Sequence, residues 1–282
     1  NKNKFIHALL TWYDEHHRIL PWRDNPTPYR VWISEIMLQQ TRVETVIPYF
    51  TRFMNTLPTI EDVANAPLDL LNKLWEGLGY YSRVRNIQQA AILIQDKYNG
   101  VFPSTFEEML LLPGIGPYTA GAISSIAFNQ KRSAVDGNVL RVFSRLKGIK
   151  ENIKDRKTKQ VIKQTVDSLL PNNRISEFNQ GLMEIGATVC IPKGKPLCEQ
   201  CPLVFFCVAS KNKETDVIPY IERTIKRSIE KKTVVILFHN NTYGIQQRPD
   251  SGLLASLYQF DLIDGHLTKE LIEKKYNASV NQ

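Results

Sequence analysis

The chain is poor in cysteine, with four in 282 residues and none before position 190. That scarcity excludes a disulfide-stapled scaffold, in which cysteines are distributed along a short secreted chain. Long apolar runs are missing as well. No stretch reaches 18 residues, so no membrane-spanning helix is expected. The first residues, Asn1-Lys-Asn-Lys-Phe-Ile-His, lack the apolar segment of a secretory signal, and a cytoplasmic location follows as the expectation. Strand-type alternation is nearly absent before residue 233, and no repeat or low-complexity tract occurs. Acid is short in one region only. Residues 138–232 hold 19 Lys and Arg against 10 Asp and Glu, whereas 1–137 hold 13 of each and 233–282 hold 4 and 5. The net charge of +8 therefore comes from the middle of the chain. Such a concentration suits a polyanion partner or a solvated helix face, and charge alone leaves both open.

What is present is enough for a core. Forty-three per cent of residues are apolar and mean hydropathy is −0.27, which excludes a disordered chain. The length predicts two domains with room for part of a third. Apolar positions at steps of three and four predict helices through about residue 210. Examples are Val43, Val46, Ile47, Phe50, Phe53, Met54 and Leu57, then Val139, Val142, Phe143 and Leu146 closed by Gly148, and Val161, Ile162, Val166 and Leu169 closed by Pro171. Thr27 before Pro28 predicts a helix start. Residues 211–232 are polar and read as a linker. From Thr233 the run Thr-Val-Val-Ile-Leu-Phe predicts a strand, Asn240–Gly244 a turn, and Gly244-Ile-Gln-Gln-Arg its partner strand.

Four motifs carry chemistry. Leu112-Pro-Gly-Ile-Gly-Pro-Tyr-Thr-Ala-Gly places two glycines in a tight turn and Pro117 at a helix start. This is a helix–hairpin–helix pattern. Backbone at Gly114, Ile115 and Gly116, with Tyr118 and Thr119 opening the helix, is a candidate DNA phosphate contact. The second motif is Cys190-x7-Cys198-x2-Cys201-x5-Cys207. Four ligands in one compact loop suit a 4Fe–4S cluster better than zinc, which prefers two separated cysteine pairs. Lys193 and Lys195 in that loop are further candidate phosphate contacts. In the third, Trp32–Thr41, Glu35 stands among Ile33, Ile36, Met37 and Leu38 on a predicted helix. Apolar surroundings raise a carboxyl pKa and make a proton donor, although a lone glutamate is more commonly a surface residue. In the fourth, Ala134–Arg141, Asp136 precedes a helix. It is either an N-cap or a carboxylate facing developing positive charge. Glycosidic cleavage needs one acid and one carboxylate.

Together these motifs resemble the helix–hairpin–helix DNA glycosylases that carry a 4Fe–4S cluster, in the endonuclease III superfamily, and within them the branch that removes adenine. Pro21-Trp22-Arg23, Ser34–Thr41, Gly77-Leu78-Gly79-Tyr80-Tyr81, the hairpin, Val135–Asn138 and Phe178-Asn179-Gln180 carry the likeness. It implies a mainly α fold in two helical parts, 22–130 with the hairpin and 1–21 plus 131–210 with the cluster loop. A linker at 211–232 and the start of a small, incomplete α+β Nudix-like domain at 233–282 would follow. By resemblance, Glu35 protonates adenine N7, Asp136 stabilises the sugar cation or its adduct, and Tyr118 and Asn138 line that site. Trp22, Arg23 and Gln180 hold the extruded base, while Gln40, Tyr80 and Leu78 fill or wedge the duplex. The substrate implied is double-stranded DNA with adenine opposite 8-oxoguanine or guanine, bound by a monomer associated with the bacterial nucleoid.

Two departures stand out. The first cysteine interval holds seven residues where the family has six, and the family's Phe-Ser-His guanine-reading loop is not found. Leu253–Phe260 resembles an early segment of the C-terminal domain. The rival readings are a bifunctional endonuclease III-like glycosylase and lyase, which places a Schiff-base lysine where Tyr118 stands, and a non-catalytic DNA-binding cluster protein.

Overall fold

The computed structural model describes residues 2–222 and 229–280, so part of the 211–232 stretch, residues 223–228, lies outside them. The chain forms two compact units, one of residues 1–79 and 83–222, the other of 80–82 and 223–282.

The first unit is helical. Its helices are α1 (Lys2–His16), α2 (Pro21–Asp24), α3 (Pro28–Leu38), α4 (Val43–Thr56), α5 (Ile60–Asn65), α6 (Leu68–Trp75) and α7 (Ser82–Tyr98). Then come α8 (Phe106–Met109), α9 (Pro117–Ile126), α10 (Gly137–Lys147), α11 (Arg156–Leu169), α12 (Ile175–Thr188) and α13 (Val208–Lys211). Local chemistry sets the boundaries. The Thr27 hydroxyl accepts from Arg30 N–H at the start of α3, and Thr59 with Asp62 forms a reciprocal capping box on α5. Gly148 ends α10 in the left-handed region. One core joins Phe5, Leu9 and Tyr13 of α1 to Val139, Phe143, Ile162, Val166, Phe178, Leu182 and Ile185, with Leu203 closing it from the cysteine loop. Val161, in register for that face, is instead 54% exposed, because α11 buries only the narrow stripe of Thr158, Ile162 and Val166.

The stretch 211–222 is not a free linker. It packs on the helical unit, with Ile218 buried, Arg145 Nε donating to the Ile218 carbonyl (2.8 Å) and Ile153 N–H to that of Tyr220 (3.1 Å). Its polar composition concealed one apolar anchor.

The second unit contains β1 (Lys232–Val235), β2 (Leu237–His239), β3 (Thr242–Gly244), β4 (Gln246–Gln247), β5 (Tyr258–Gln259), β6 (Asp261–Asp264) and α14 (Lys269–Tyr276). All pairs are antiparallel: β1 with β6, β2 with β3 and β4 with β5. The expected partner of the 233–238 run begins earlier than the sequence suggests. Asn240 and Asn241 both take positive φ (47° and 59°), so a two-residue turn brings Thr242 straight back onto His239. Gln246 and Gln247 pair with Gln259 and Tyr258 instead. Val235 and Ala255 are the buried apolar residues described in this small α+β unit. Among the described residues, no helix is long and apolar enough to cross a membrane.

Candidate active site

A cleft of about 1050 Å³ opens in the helical unit, and Trp22, Arg23, Glu35, Gln40, Tyr118, Asp136, Asn138 and Gln180 all line it. Residues from five separate sequence motifs therefore meet in one cavity. Glu35 sits in the last turns of α3, 7% exposed, between the buried Ser34 and Ile36. The Tyr118 hydroxyl donates to its Oε2 at 2.5 Å. Burial pushes the Glu35 carboxyl from its ordinary 4.5 to about 7; the Tyr118 hydrogen bond opposes this, the Asp136 charge adds to it, and Arg23 opposes it weakly. The same burial, with both carboxylates nearby, holds the Tyr118 phenol far above its usual range.

Asp136 is an N-cap that also faces the cleft. Its Oδ1 accepts from Val139 N–H (2.7 Å) at the start of α10. Asn138 Nδ2 donates to its Oδ2 at 2.7 Å. Burial raises the Asp136 pKa while these two donors and Arg141 pull it back. Asp136 accepts two N–H bonds where Glu35 accepts one O–H.

Four residues to which the sequence reading gives no role complete the site. Arg141 Nη2 donates to Asn138 Oδ1 (2.8 Å) and to the Gly186 carbonyl (2.7 Å), and its Nε donates to the Cys190 carbonyl (2.8 Å). The α10–α12 approach is close enough that a Cβ on Gly186 would lie 2.5 Å from Asn138 Cβ. Asn179, fully buried, accepts from Ala134 N–H and donates to the Arg132 carbonyl, fixing the chain that leads into Asp136. Glu184, 1% exposed, receives Arg18 Nε (2.6 Å) and Arg23 Nη2 (2.8 Å), and these ion pairs hold its pKa below the usual range despite burial. The sequence signal for Arg141 and Glu184 is the one that marks Glu35, a charged side chain on an apolar helical face. For Arg18 and Asn179 no such pattern exists.

The remaining candidates divide. Trp22 is buried edge-on to Phe50, Arg23 is committed to Glu184, and Gln180 donates to Ser176 Oγ (2.9 Å). Gln40 is exposed, with φ +58°, and Tyr80 is 60% exposed, with φ +49°. Leu78 is 7% exposed and so does not project as a wedge; the turn between Gly77 and Gly79 folds it inward. In the hairpin, Gly114 has φ +78° and a Cβ there would press on Asn86 at 2.9 Å. Gly116 does not need positive φ (−95°); it is the N-cap of α9. Ile115 and Thr119 are buried, and the Ile115 N–H is already committed to the Leu112 carbonyl (3.1 Å). Lys193 and Lys195 stand exposed on the cysteine loop, outside the cleft lining.

The four cysteines line a second cavity of about 30 Å³. Arg145 Nη1 donates to Cys190 Sγ at 3.3 Å, and burial pushes the Cys201 thiol up to about 12 and raises Cys207.

Residues 33–168 match the HhH-GPD superfamily base excision DNA repair protein family. The chain is 40% identical to the adenine DNA glycosylase of Buchnera aphidicola subsp. Acyrthosiphon pisum over 91% of its own length and 73% of that protein's. It is 36% identical to the Homo sapiens adenine DNA glycosylase over 96% of this chain and 59% of that one. Among solved structures it resembles a thermostable thymine-DNA glycosylase (TM-score 0.68, 28% identity, 75% of this chain and 97% of that one). It also resembles endonuclease III in a non-covalent DNA complex (TM-score 0.64, 27% identity, 76% and 98%). Helical architecture, cleft and relatives agree, and the chain belongs to the adenine DNA glycosylase family of helix–hairpin–helix base excision DNA repair proteins.

Proposed function

We propose that the chain hydrolyses the N-glycosidic bond of adenine mispaired with 8-oxoguanine or guanine in double-stranded DNA. The observation that carries this reading is Glu35, a buried carboxyl with a pKa near neutrality sharing one cleft with a second carboxylate held by two N–H donors. The bond lies inside the base stack, so adenine must first leave the helix and enter the cleft. Trp22 supplies an aromatic wall there, while Arg18 and Arg23, locked on Glu184, present fixed donors. Protonated Glu35 gives its proton to adenine N7. As C1′–N9 breaks, the bonding electrons move onto the ring and adenine leaves neutral. The positive charge left on the sugar is balanced by ionised Asp136, either as an ion pair or as a transient ester. Water then adds to C1′ and its proton returns to a carboxylate. Tyr118 holds Glu35, and Asn138, steadied by Arg141, holds Asp136.

The four-cysteine donor set suits one 4Fe–4S cluster. All four thiols face a common space, and the Arg145 guanidinium offers a cationic donor to one sulfur, as an anionic thiolate cage requires. Bound there, the cluster would pin the 190–207 loop. Phosphate contacts would come from the Gly114–Gly116 turn and the start of α9, with Lys193 and Lys195 as charges nearby. We place such a protein in the cytoplasm on nucleoid DNA, acting as a monomer. The test is incubation with an A·8-oxoguanine duplex followed by hot alkali. Strand cleavage appearing only after alkali supports a monofunctional glycosylase. Cleavage without alkali would favour a lyase, and no cleavage at all would reject both.

A further inference from the structure

The Arg83 guanidinium ties two loops together from inside the protein. Arg83 is 7% exposed. Its Nη1 donates to the carbonyls of Ile36 (2.9 Å), Met37 (3.0 Å) and Gln39 (2.7 Å), at the C-terminal end of α3. Its Nη2 donates to the carbonyls of Leu78 (3.0 Å) and Gly79 (3.0 Å), in the turn after α6. The guanidinium also lies over the Trp75 ring, 5.3 Å from its centroid. The ends of helices leave carbonyls without internal partners, and a cation there is favourable. Here one cation serves the end of a helix and a separate turn together.

The turn depends on unusual backbone. Gly77 and Gly79 both take positive φ (+99° and +71°), and Tyr49 OH donates to the Glu76 carbonyl (2.7 Å) and Trp75 Nε1 to that of Gly79 (3.1 Å). Each segment that Arg83 grips runs directly into a non-glycine residue with left-handed backbone, Gln40 on one side and Tyr80 on the other. Such backbone persists only where the surroundings impose it. These two residues are exposed, and the family resemblance gives them the role of filling or wedging the duplex.

We propose that Arg83 is a positioning residue for base extrusion, fixing the end of α3 and the Gly77–Gly79 turn so that each hands its following residue, Gln40 or Tyr80, to the DNA from an anchored backbone. The proposal rests on the glycosylase reading. Extrusion requires unstacking and unpairing, so the side chains that replace the base must not yield when the duplex pushes back. A guanidinium can hold five carbonyls on two segments because its donors form a rigid planar fork. A lysine ammonium is a point charge on a flexible stem and cannot span them.

The test uses Arg83→Lys and Arg83→Met in the full chain. Single-turnover adenine excision is measured on an A·8-oxoguanine duplex and on the same strand with adenine opposite an abasic-site analogue, where no pair must be broken. Fluorescence of 2-aminopurine at the target position, in a Glu35→Gln background, reports unstacking separately from chemistry. Arg83→Met should slow excision from the paired duplex by about 10²-fold, the cost of a misplacement near one ångström, and flatten the 2-aminopurine signal. Excision of the unpaired adenine should stay close to that of the parent. Arg83→Lys, which keeps charge and bulk, should show the same split to a smaller degree, and it carries the test if the methionine variant does not fold. Equal losses on both substrates, with the fluorescence signal intact, would overturn the proposal and make Arg83 a support for α3 and Glu35 alone. Unchanged rates on both would overturn it as well. A parent protein that unstacks 2-aminopurine but excises no adenine would instead reject the glycosylase chemistry and leave the tether to be judged by fluorescence.

Discussion

Replacing Glu35 with glutamine should abolish excision and stabilise the protein, by an amount that depends on pH. Burial lifts the Glu35 pKa from 4.5 to about 7, a difference worth about 3 kcal/mol at 1.36 kcal/mol per unit. The sign follows from linkage. Below pH 4.5 the carboxyl is protonated in both folded and unfolded chains and costs nothing. Between 4.5 and about 7 the unfolded chain releases the proton and the folded chain keeps it, so stability falls as pH rises, and above about 7 the penalty is complete. Glutamine has the same shape, can still accept from Tyr118, and never ionises. Its stability advantage should therefore be larger at pH about 8.5 than at pH about 6, by roughly 1 kcal/mol, the one unit remaining between 6 and 7. Urea unfolding of both proteins at the two pH values measures this directly. Single-turnover excision should fall by ~10²–10⁴-fold in the variant, and the parent's rate should decline as pH rises through 7. A variant with unchanged stability at both pH values, or a parent rate that climbs through neutrality, would refute the assignment of Glu35 as a buried general acid.

Asp136→Asn keeps an N-cap side chain while removing the charge, so melting temperature should change little while the bound-state rate falls by ~10²-fold or more; a fall in affinity alone would make Asp136 only a cap. Gly186→Ala drives a methyl to 2.5 Å from Asn138 Cβ, which should cost ~1–3 kcal/mol in denaturant unfolding and slow excision through Asp136. An alanine tolerated at full activity would show that α10 and α12 can part freely. Cys198→Ala should lose the visible iron–thiolate absorption and lower the yield of folded protein, and metal analysis giving zinc rather than iron would overturn the cluster assignment.

Much of the site is legible in the sequence because its residues break local rules. Glu35 interrupts an apolar helix, and Asp136 sits where a helix must begin. Four cysteines crowd into 18 residues of a chain that otherwise has none. The residues that escaped are those whose meaning is relational. Arg18 meets Glu184 across 166 positions, and Asn179 reaches back to 132–134, so no window of sequence contains both partners. Leu78 misled for a related reason. Its flanking glycines announce a turn, but the direction in which that turn carries the side chain is set by tertiary packing, here inward. The 211–222 stretch reads as linker by composition, yet one buried isoleucine and the arginine bonded to its carbonyl are enough to dock it.

Helix α10 works as a ruler. Asp136 marks its start, and Asn138, Arg141 and Arg145 follow on a single face at intervals of three and four residues. The first end of that face meets the cleft and the other grips Cys190 through both its carbonyl and its sulfur. Each residue of a helix turns the chain by about 100° and advances it by about 1.5 Å, so inserting or deleting one residue between 137 and 145 would swing one set of contacts away from the other. Of its residues only Gly137 and Lys147, one at each end, are exposed, so neither the length of α10 nor its faces are free to change. In the loop between Cys190 and Cys198 only the tip, residues 192–195, is exposed throughout, and it is there that a difference of one residue can be absorbed as slack.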